Sequence, residues 1–265
     1  MLAIFLSTIK SHWKTVAILL IVNLTFLFMF TSIWPSLLEQ AEDLEQLYAA
    51  YPEEFLDALG ATGNIFSNFE SFLAVEHYSI TWPLMMAILV IGMAGAAFAG
   101  EIERGTMDLL MSQPLRRIEL FLSKFGAGVV VLAIFSLLTI LMPIPLAAMF
   151  DIELNVSGHF ALLALGLLFG LAVYCMGEML SAMFASRGMV GAIMAGVLIV
   201  MYGISIVARL EESLEFLQYG SYFYYFDFMA ALTGRTVDQL AVAVFALSSL
   251  VFTIIGVFAF NKRDL

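Results

Sequence analysis

The sequence predicts an all-α, polytopic membrane protein with six transmembrane helices. Of its 265 residues, 62% are hydrophobic and 12% are charged, whereas a soluble globular chain has roughly 25% charged residues. Apolar runs recur along the whole chain, and several reach the roughly 20 residues that cross a bilayer as a helix. The charged residues are concentrated between these runs. This composition excludes a soluble globular protein.

The chain begins with a short amphipathic segment, residues 1–14. Basic and aromatic side chains gather at its end, namely Lys10, His12, Trp13 and Lys14. This composition is typical of a helix that lies at the lipid headgroups, although the segment could also be the start of the first span. The first span is predicted at about 15–37. No small-x-small cleavage site follows it, so we expect it to remain as a transmembrane helix rather than a signal peptide.

An acidic outer loop follows, at about 39–79, with no Lys or Arg between residues 39 and 76. Apolar residues recur there at helical spacing, at Leu44, Leu47, Tyr48 and Tyr51. Pro52 suits the first position of a second short helix, and Gly60 suits its end. We therefore expect a folded loop.

The remaining spans are predicted at about 80–100, 125–150, 160–184, 188–207 and 239–260. Small residues spaced by four predict close helix contacts in lipid; they are Gly92, Ala96 and Gly100, then Gly166 and Gly170, and then Gly188, Ala192 and Gly196. The fourth and fifth spans are expected to form a close antiparallel pair. The outer segment 209–238 is too aromatic for a free loop, so re-entrant or in-plane short helices are predicted before the sixth span.

The distribution of basic residues predicts the orientation, because cytoplasmic loops are enriched in Lys and Arg. Nine basic residues fall on the side of the termini: Lys10, Lys14, Arg104, Arg116, Arg117, Lys124, Arg187, Lys262 and Arg263. Only Arg209 and Arg235 fall opposite. Both termini are therefore expected in the cytoplasm. The net charge of −11 argues against a nucleic-acid partner, and the single Cys175 excludes an intrachain disulfide.

The charged segment 101–124 lies between the second and third spans and is divided by helix-breaking residues. Gly105 is a natural helix stop, and Thr106 can N-cap a new helix that has Asp108 in its first turn. Pro114 can end that helix and open the next one. A short helix is therefore predicted at about 107–113. Its Met- and Leu-rich surface either meets a partner or packs beneath its own bundle.

The residue order of this segment resembles a known family. From Glu101 to Lys124 it reads acid-x-Glu-Arg-Gly-Thr-x-Asp-Leu-Leu-x-Ser-x-Pro-x-x-Arg-x-Glu-x-x-x-x-Lys, which resembles the signature of ABC-2 type transporter permeases. Residues 51–60 resemble the family's outer-loop helix, and residues 262–265 resemble its usual ending. The resemblance implies that 107–113 is a coupling helix seated in a cytoplasmic ATP-binding subunit. The implied contact residues are Glu101, Glu103, Arg104, Gly105, Thr106, Met107, Asp108, Leu109, Leu110, Met111, Pro114 and Arg116.

The resemblance further implies the permease subunit of an ABC exporter in the cytoplasmic membrane. Two permease copies, identical or different, would work with two ATP-binding subunits that hold ATP and Mg²⁺, while this chain binds no cofactor. Consistent with this, the sequence lacks the G-x-x-x-x-G-K-[ST] phosphate loop, so we do not expect an enzyme. One alternative is an ion-driven secondary carrier or an intramembrane enzyme, but the sequence shows neither inverted repeats nor clustered catalytic groups. Another is an ABC-type assembly that transmits force or signal to an extracellular partner.

Glu178 is the only acid well inside a predicted span, and such residues are functional suspects. It shares a helical stripe with Tyr174. One interpretation is a structural ion pair with Arg187; the other is a role of Glu178 and Tyr174 in gating or substrate passage. His12, His77 and His159 are too dispersed to predict a metal site. An aromatic group lines an exit for a hydrophobic substrate or anchors the chain at the interface: Tyr219, Tyr222, Phe223, Tyr224, Tyr225, Phe226 and Phe228. Asp227 within it has no assigned role.

Overall fold

A computed structural model of the chain describes residues 1–48, 50, 51, 56 and 65–263, and every regular element within them is a helix. Five helices are long and apolar enough to cross a membrane, and a bent pair makes a sixth. In chain order, the spans are span 1 (Leu2–Glu39), span 2 (Thr81–Ala97, preceded by Phe69–Tyr78), span 3 (Arg117–Leu141), span 4 (Val156–Met183), span 5 (Arg187–Leu210) and span 6 (Gln239–Lys262). The protein is thus a multi-pass helical membrane protein.

Span 1 is a single helix of 38 residues, about 57 Å long at a rise of 1.5 Å per residue. The separate interfacial helix predicted for residues 1–14 is wrong, because no Gly or Pro interrupts the chain before Pro35 and the helix runs on without a break. A short helix, Ala41–Tyr48, follows. The helix predicted from Pro52 to Gly60 lies almost wholly outside the described residues, as do the last two residues of the chain.

Span 2 is the bent one. Its outer part, Phe69–Tyr78, meets Thr81–Ala97 at 40°, and a π-helical turn forms the last five residues of that outer part. The polar side chains of Asn23 and His77 are fully buried beside this bend, with Asn23 Nδ2 3.0 Å from His77 Nε2. The second span was predicted to begin at about residue 80, so its bent N-terminal part was missed.

Span 4 lies at the centre of the bundle, most extensively against span 6 and also against spans 2 and 3. The glycine pair of span 4, Gly166 and Gly170, provides the close helix contact that the sequence predicts. Gly166 lies against Trp82 and Ile140, and Gly170 against Met86 and Leu132. The glycine pair therefore packs against spans 2 and 3.

The close pair predicted between spans 4 and 5 is not the main packing of span 4. The two helices meet where Gly177 lies against Met194, but the small-residue stripe of span 5 is exposed at Gly188, Ala192 and Gly196. Nothing within the described chain lies near a Cβ placed at Gly196. The spacing of small residues predicted a contact face on span 5, and this face is exposed in the described chain.

Three short helices precede span 6: Glu212–Gly220, Tyr222–Tyr225 and Phe228–Leu232. Much of the aromatic group belongs to the core, since Phe226 is buried and stacks on Trp82 with ring centroids 5.5 Å apart. Asp227 caps the third short helix, because its carboxylate accepts the N–H of Ala230 at 2.9 Å. This capping role is what the sequence analysis left unassigned.

Third-span bounds also differ from the prediction. The helix begins at Arg117 rather than near residue 125, and after a break at Met142 it continues as Pro143–Met149. Pro143 begins the continuing helix, because proline lacks the N–H that the preceding helix would need. Eight more residues at the start bring charged side chains of span 3 beside the end of span 2.

Candidate functional site

The end of span 2 is jointed at Phe98. The helix stops at Ala97, and a five-residue helix, Ala99–Glu103, continues beyond the break. Side chains of two other spans satisfy the backbone there. Ser181 Oγ of span 4 accepts both N–H groups at the break, at 3.1 and 3.0 Å, and Lys124 Nζ of span 3 donates to the carbonyl oxygen of Ala97 at 2.9 Å. The break is therefore stabilised from two neighbouring helices.

Lys124 also pairs with Glu101, with 2.8 Å between Nζ and Oε1. The lysine side chain is only 6% exposed, and a buried ammonium needs such a partner. Glu101 additionally faces Arg104 at 3.5 Å and accepts the hydroxyl proton of Thr106. Burial alone raises the pKa of Glu101, but its hydrogen bonds and the neighbouring cations outweigh burial and hold that pKa below its usual value.

Gly105 ends the jointed helix, as predicted. Its φ of 68° is left-handed, and its N–H bonds the carbonyl of Ile102 at 3.0 Å while the N–H of Thr106 bonds that of Glu101 at 2.9 Å. This pattern is a Schellman motif. Thr106 precedes the next helix but does not cap it with its side chain, because its hydroxyl turns back to Glu101. The predicted capping role of Thr106 is therefore wrong.

The short helix runs from Met107 to Met111, two residues less than the predicted 107–113. Pro114 lies outside any helix, so its predicted place at the first position of the next helix is wrong. That helix begins at Arg117. Arg116 occupies its N-cap, where the backbone N–H of Arg116 donates to Glu119 at 2.9 Å, half of a capping box.

The apolar side chains of the short helix divide between two environments. Met107 is 3% exposed and packs in a cluster with Phe98, Phe121 and Phe260, whereas Leu109 is 69% exposed. Asp108 is also exposed, while Leu110 and Met111 are half-buried. The helix thus packs beneath its own bundle by one side and presents the opposite side to the surroundings.

The segment is tied to the ends of two further spans. The exposed carboxylate of Glu103 accepts the backbone N–H of Arg187, the first residue of span 5, where a helix favours negative charge. Arg117 donates to the carbonyl of Asn261 at 3.2 Å, near the end of span 6. Arg263 donates to the carbonyls of Ala182 and Phe184 at the end of span 4, at 2.8 and 3.0 Å. A displacement of the segment would therefore change its contacts with spans 5 and 6.

A cavity of about 490 Å³ lies beside this segment, a volume within the usual range of small-molecule sites. Part of its wall is the polar face of span 1, formed by Ser7, Thr8, Ser11, His12 and Thr15. Other walls carry ionisable side chains, namely Glu101, Arg104, Lys124, Tyr174, Glu178 and Arg187. The polar face predicted to lie at the lipid headgroups thus borders this cavity, with Ser7, Ser11 and Thr15 themselves exposed.

Glu178 and Tyr174 are adjacent in this cavity, as their shared stripe predicted. The ion pair predicted between Glu178 and Arg187 is absent from the described part of the chain: the two ion pairs found there both involve Glu101. The Tyr174 hydroxyl is 3.3 Å from the carbonyl oxygen of Phe125 and also reaches Glu178. The Tyr174 hydroxyl oxygen would be 2.0 Å from a Cβ placed at Gly128, so only a glycine at that position permits this close contact.

Sequence reasoning missed the roles of Lys124 and Ser181, which lie far along the chain from the backbone groups that they bind. Their residue types gave a weak signal, since a Lys and a Ser within apolar spans need polar partners. The three histidines are dispersed, and among the described residues no group of three or more His, Cys, Asp or Glu side chains can hold a metal ion.

The fold and this site define a class of protein, a multi-pass helical membrane protein with a charged segment and a polar cavity at one end of its bundle. The family follows from comparison: the sequence matches the ABC-2 family transporter proteins over residues 5–265. The chain therefore belongs to this family, which confirms the resemblance seen between Glu101 and Lys124. No match was found among curated proteins.

Proposed function

We propose that the chain is the permease subunit of an ABC exporter, driven by ATP hydrolysis on a separate cytoplasmic subunit that contacts residues 107–113. Family membership supports the permease role. The observation that carries the contact is the exposed Leu109, 69% accessible at the tip of a helix whose other side is anchored by buried Met107. Leu109 and the neighbouring exposed Asp108 face away from the bundle, where a partner subunit could reach them.

The connections of the segment support a role in force transmission. Force applied at the short helix reaches span 3 through Lys124 and Glu101, span 5 through Glu103, and span 6 through the packing of Met107 on Phe260. The contact of Met107 is made by the short helix itself, and those of Glu101 and Glu103 are reached through the turn at Gly105. Closure of an ATP-binding subunit against this helix would then tilt several spans together.

The arrangement of charge supports the orientation. The basic residues of the segment and of both chain ends lie at one end of the bundle, which is the cytoplasmic side under the positive-inside rule. We place the ATP-binding subunit, with its ATP and Mg²⁺, on that side. A second permease copy completes the assembly, and the exposed face of span 5 at Gly188 and Gly196 is compatible with it.

Leu109→Asp tests the contact. The full chain is co-expressed with its cytoplasmic ABC ATP-binding subunit, and copurification and ATP hydrolysis are measured. We expect the substitution to abolish permease-dependent hydrolysis and reduce copurification at least tenfold, about 1.4 kcal/mol, without affecting membrane insertion. Leu47→Asp is the matched control, since Leu47 is 60% exposed in the outer helix. Unchanged copurification and hydrolysis with Leu109→Asp would refute the contact.

We also propose that Glu178 and Tyr174 lie on a gating or substrate path. Glu178 is 1% exposed yet borders the cavity, and a buried intramembrane acid is costly and therefore a functional suspect. Transport by Glu178→Gln should be at least tenfold slower, while copurification with the ATP-binding subunit is unchanged. Full transport activity in this variant would exclude Glu178 from the path.

A further inference from the structure

The guanidinium group of Arg187 has no counter-charge within the described part of the chain. Arg187 begins span 5 and lines the cavity beside the segment 101–124. The two ion pairs of the described residues both involve Glu101, and the guanidinium group makes no hydrogen bond to any of these residues. Glu103 binds the backbone N–H of Arg187 rather than its side chain. A guanidinium in this state keeps five N–H donors for an anion in the cavity.

The accessible charges of this cavity are predominantly positive. Its lining carries three cations, Arg104, Lys124 and Arg187, but only two carboxylates, Glu101 and Glu178. Glu101 is shared by Lys124 at 2.8 Å and Arg104 at 3.5 Å, whereas Glu178 is 1% exposed and belongs to neither ion pair of the described chain. The side chain of Arg104 is 50% exposed, and Arg187 is also exposed. A ligand that enters the cavity therefore meets the two arginines.

The two arginine side chains lie along the same end of span 2. A Cβ placed at Gly95 would be 3.0 Å from Arg187 Cγ, and a Cβ placed at Gly100 would be 3.3 Å from Arg104 Nη1. The same Cβ at Gly100 would be 2.8 Å from the carbonyl oxygen of Gly95, so the two glycines are neighbours across the break at Phe98. Both guanidinium groups are thus carried to one end of the cavity.

The remaining wall combines uncharged donors with apolar surface. Ser7 and Thr15 of span 1 and Gln113 line the cavity and are exposed, and their side chains make no hydrogen bond within the described chain. Hydroxyl and amide groups of this kind donate to oxyanions. Farther from the arginines along span 2, Leu89 adds apolar area, and nothing lies within 4 Å of a Cβ placed at Gly92. A ligand bound to the arginines has room there for an apolar substituent.

We propose that this cavity binds a phosphate group, held by the guanidinium groups of Arg187 and Arg104. Guanidinium N–H groups form paired hydrogen bonds with phosphate oxygens, and a tetrahedral phosphate presents oxygens to two guanidinium groups at once. A carboxylate is a poorer occupant, because its two oxygens lie in one plane and a single arginine satisfies both. The phosphate belongs either to a phospholipid headgroup, with its acyl chains beside Gly92, or to a soluble phosphate ester.

Binding is measured on the purified full chain without an ATP-binding subunit, so the result does not depend on the proposed function. The protein in an uncharged detergent is titrated calorimetrically at constant ionic strength with glycerol 3-phosphate and with dihexanoyl phosphatidylglycerol, and sodium chloride serves as the blank. We expect saturable binding of at least one phosphate compound. Binding of the lipid at least tenfold more tightly assigns the site to a headgroup, and any smaller difference assigns it to a soluble phosphate ester.

Two variants of Arg187 test the guanidinium group. Arg187→Gln should weaken binding at least tenfold through the loss of its charged hydrogen bonds. Arg187→Lys should weaken it at least threefold, because the charge remains but the planar fork of donors is lost; this variant keeps the test decisive if Arg187→Gln does not fold, which its melting temperature shows.

Lys14→Gln is the matched control, since Lys14 is an exposed cation of span 1 outside the cavity lining. We expect it to change binding less than twofold. No saturable binding of either phosphate compound, unchanged affinity in a folded Arg187 variant, or an equal loss of affinity in Lys14→Gln would each overturn the proposal, whatever the outcome for Leu109→Asp.

Discussion

Removal of the ammonium at Lys124 should destabilise the whole bundle. Lys124→Met keeps the length of the side chain but breaks the 2.8 Å ion pair with Glu101 and the 2.9 Å hydrogen bond to Ala97 at the joint. Removing one partner of a buried pair costs about 3–5 kcal/mol. We expect the lower end, about 3 kcal/mol, because Glu101 is 20% exposed and keeps Arg104. At ~2–4 °C per kcal/mol, the melting temperature should fall by about 6–12 °C.

Thermal unfolding of the purified protein in detergent at neutral pH measures this effect, as a double-mutant cycle with Glu101→Gln. We expect the double variant to be more stable than the sum of the single effects predicts, with a coupling energy of at least about 1.5 kcal/mol. Lys10→Met and Glu39→Gln make the same chemical changes at exposed positions and should shift the melting temperature little. Additive single effects, or a Lys124→Met variant as stable as the unaltered protein, would refute the assignment of a buried ion pair.

Three further predictions concern stability. The pKa of Glu101 is lowered in the folded protein. The stability that its carboxylate contributes is therefore present above the unfolded pKa and is lost as the pH falls through the folded pKa. The melting temperatures of Glu101→Gln and the unaltered protein, measured from pH 7 to 3, should converge at the acid end. Gly158→Ala should cost about 1–3 kcal/mol, since the new Cβ would be 1.9 Å from the carbonyl oxygen of Leu232, whereas Gly196→Ala, with nothing within 4 Å, should not destabilise; equal melting temperatures for the two would contradict this packing. Arg263→Ala should cost about 2 kcal/mol in the same assay through the loss of its two carbonyl hydrogen bonds, and an unchanged melting temperature would show that they contribute nothing.

The spans and the helix stop at Gly105 were predictable because they depend on local properties. An apolar run of sufficient length is visible in the sequence itself, and glycine is the residue best suited to a φ of 68°. The end of the short helix at 107–111 was missed by two residues, and the start of span 3 at Arg117 by eight. There the capping bond from Arg116 to Glu119 decided the boundary, while the sequence offered Pro114 as an equally reasonable start.

The parts that could not be predicted depend on which helices become neighbours. The burial of Lys124 could not be predicted because it depends on Ala97 and Glu101, more than 20 residues away along the chain. Glu178 was offered Arg187 as a partner on sequence proximity, but the two side chains do not pair. The open position of Gly92 likewise depends on the separation of spans 1 and 2, which residue spacing does not specify.

The length of span 1 has a mechanical consequence. The helix is about 57 Å long, well beyond the roughly 30 Å hydrocarbon layer. One end forms a wall of the cavity at Ser7 and Ser11, and near the other Trp34 packs on Phe69 and Phe72, with ring centroids 5.6 and 5.3 Å apart. A tilt of only about 5° displaces one end by roughly 5 Å relative to the other. A rigid tilt of span 1 would therefore shift the cavity wall at Ser7 and Ser11 and the contacts of Trp34 with the bent part of span 2 at the same time.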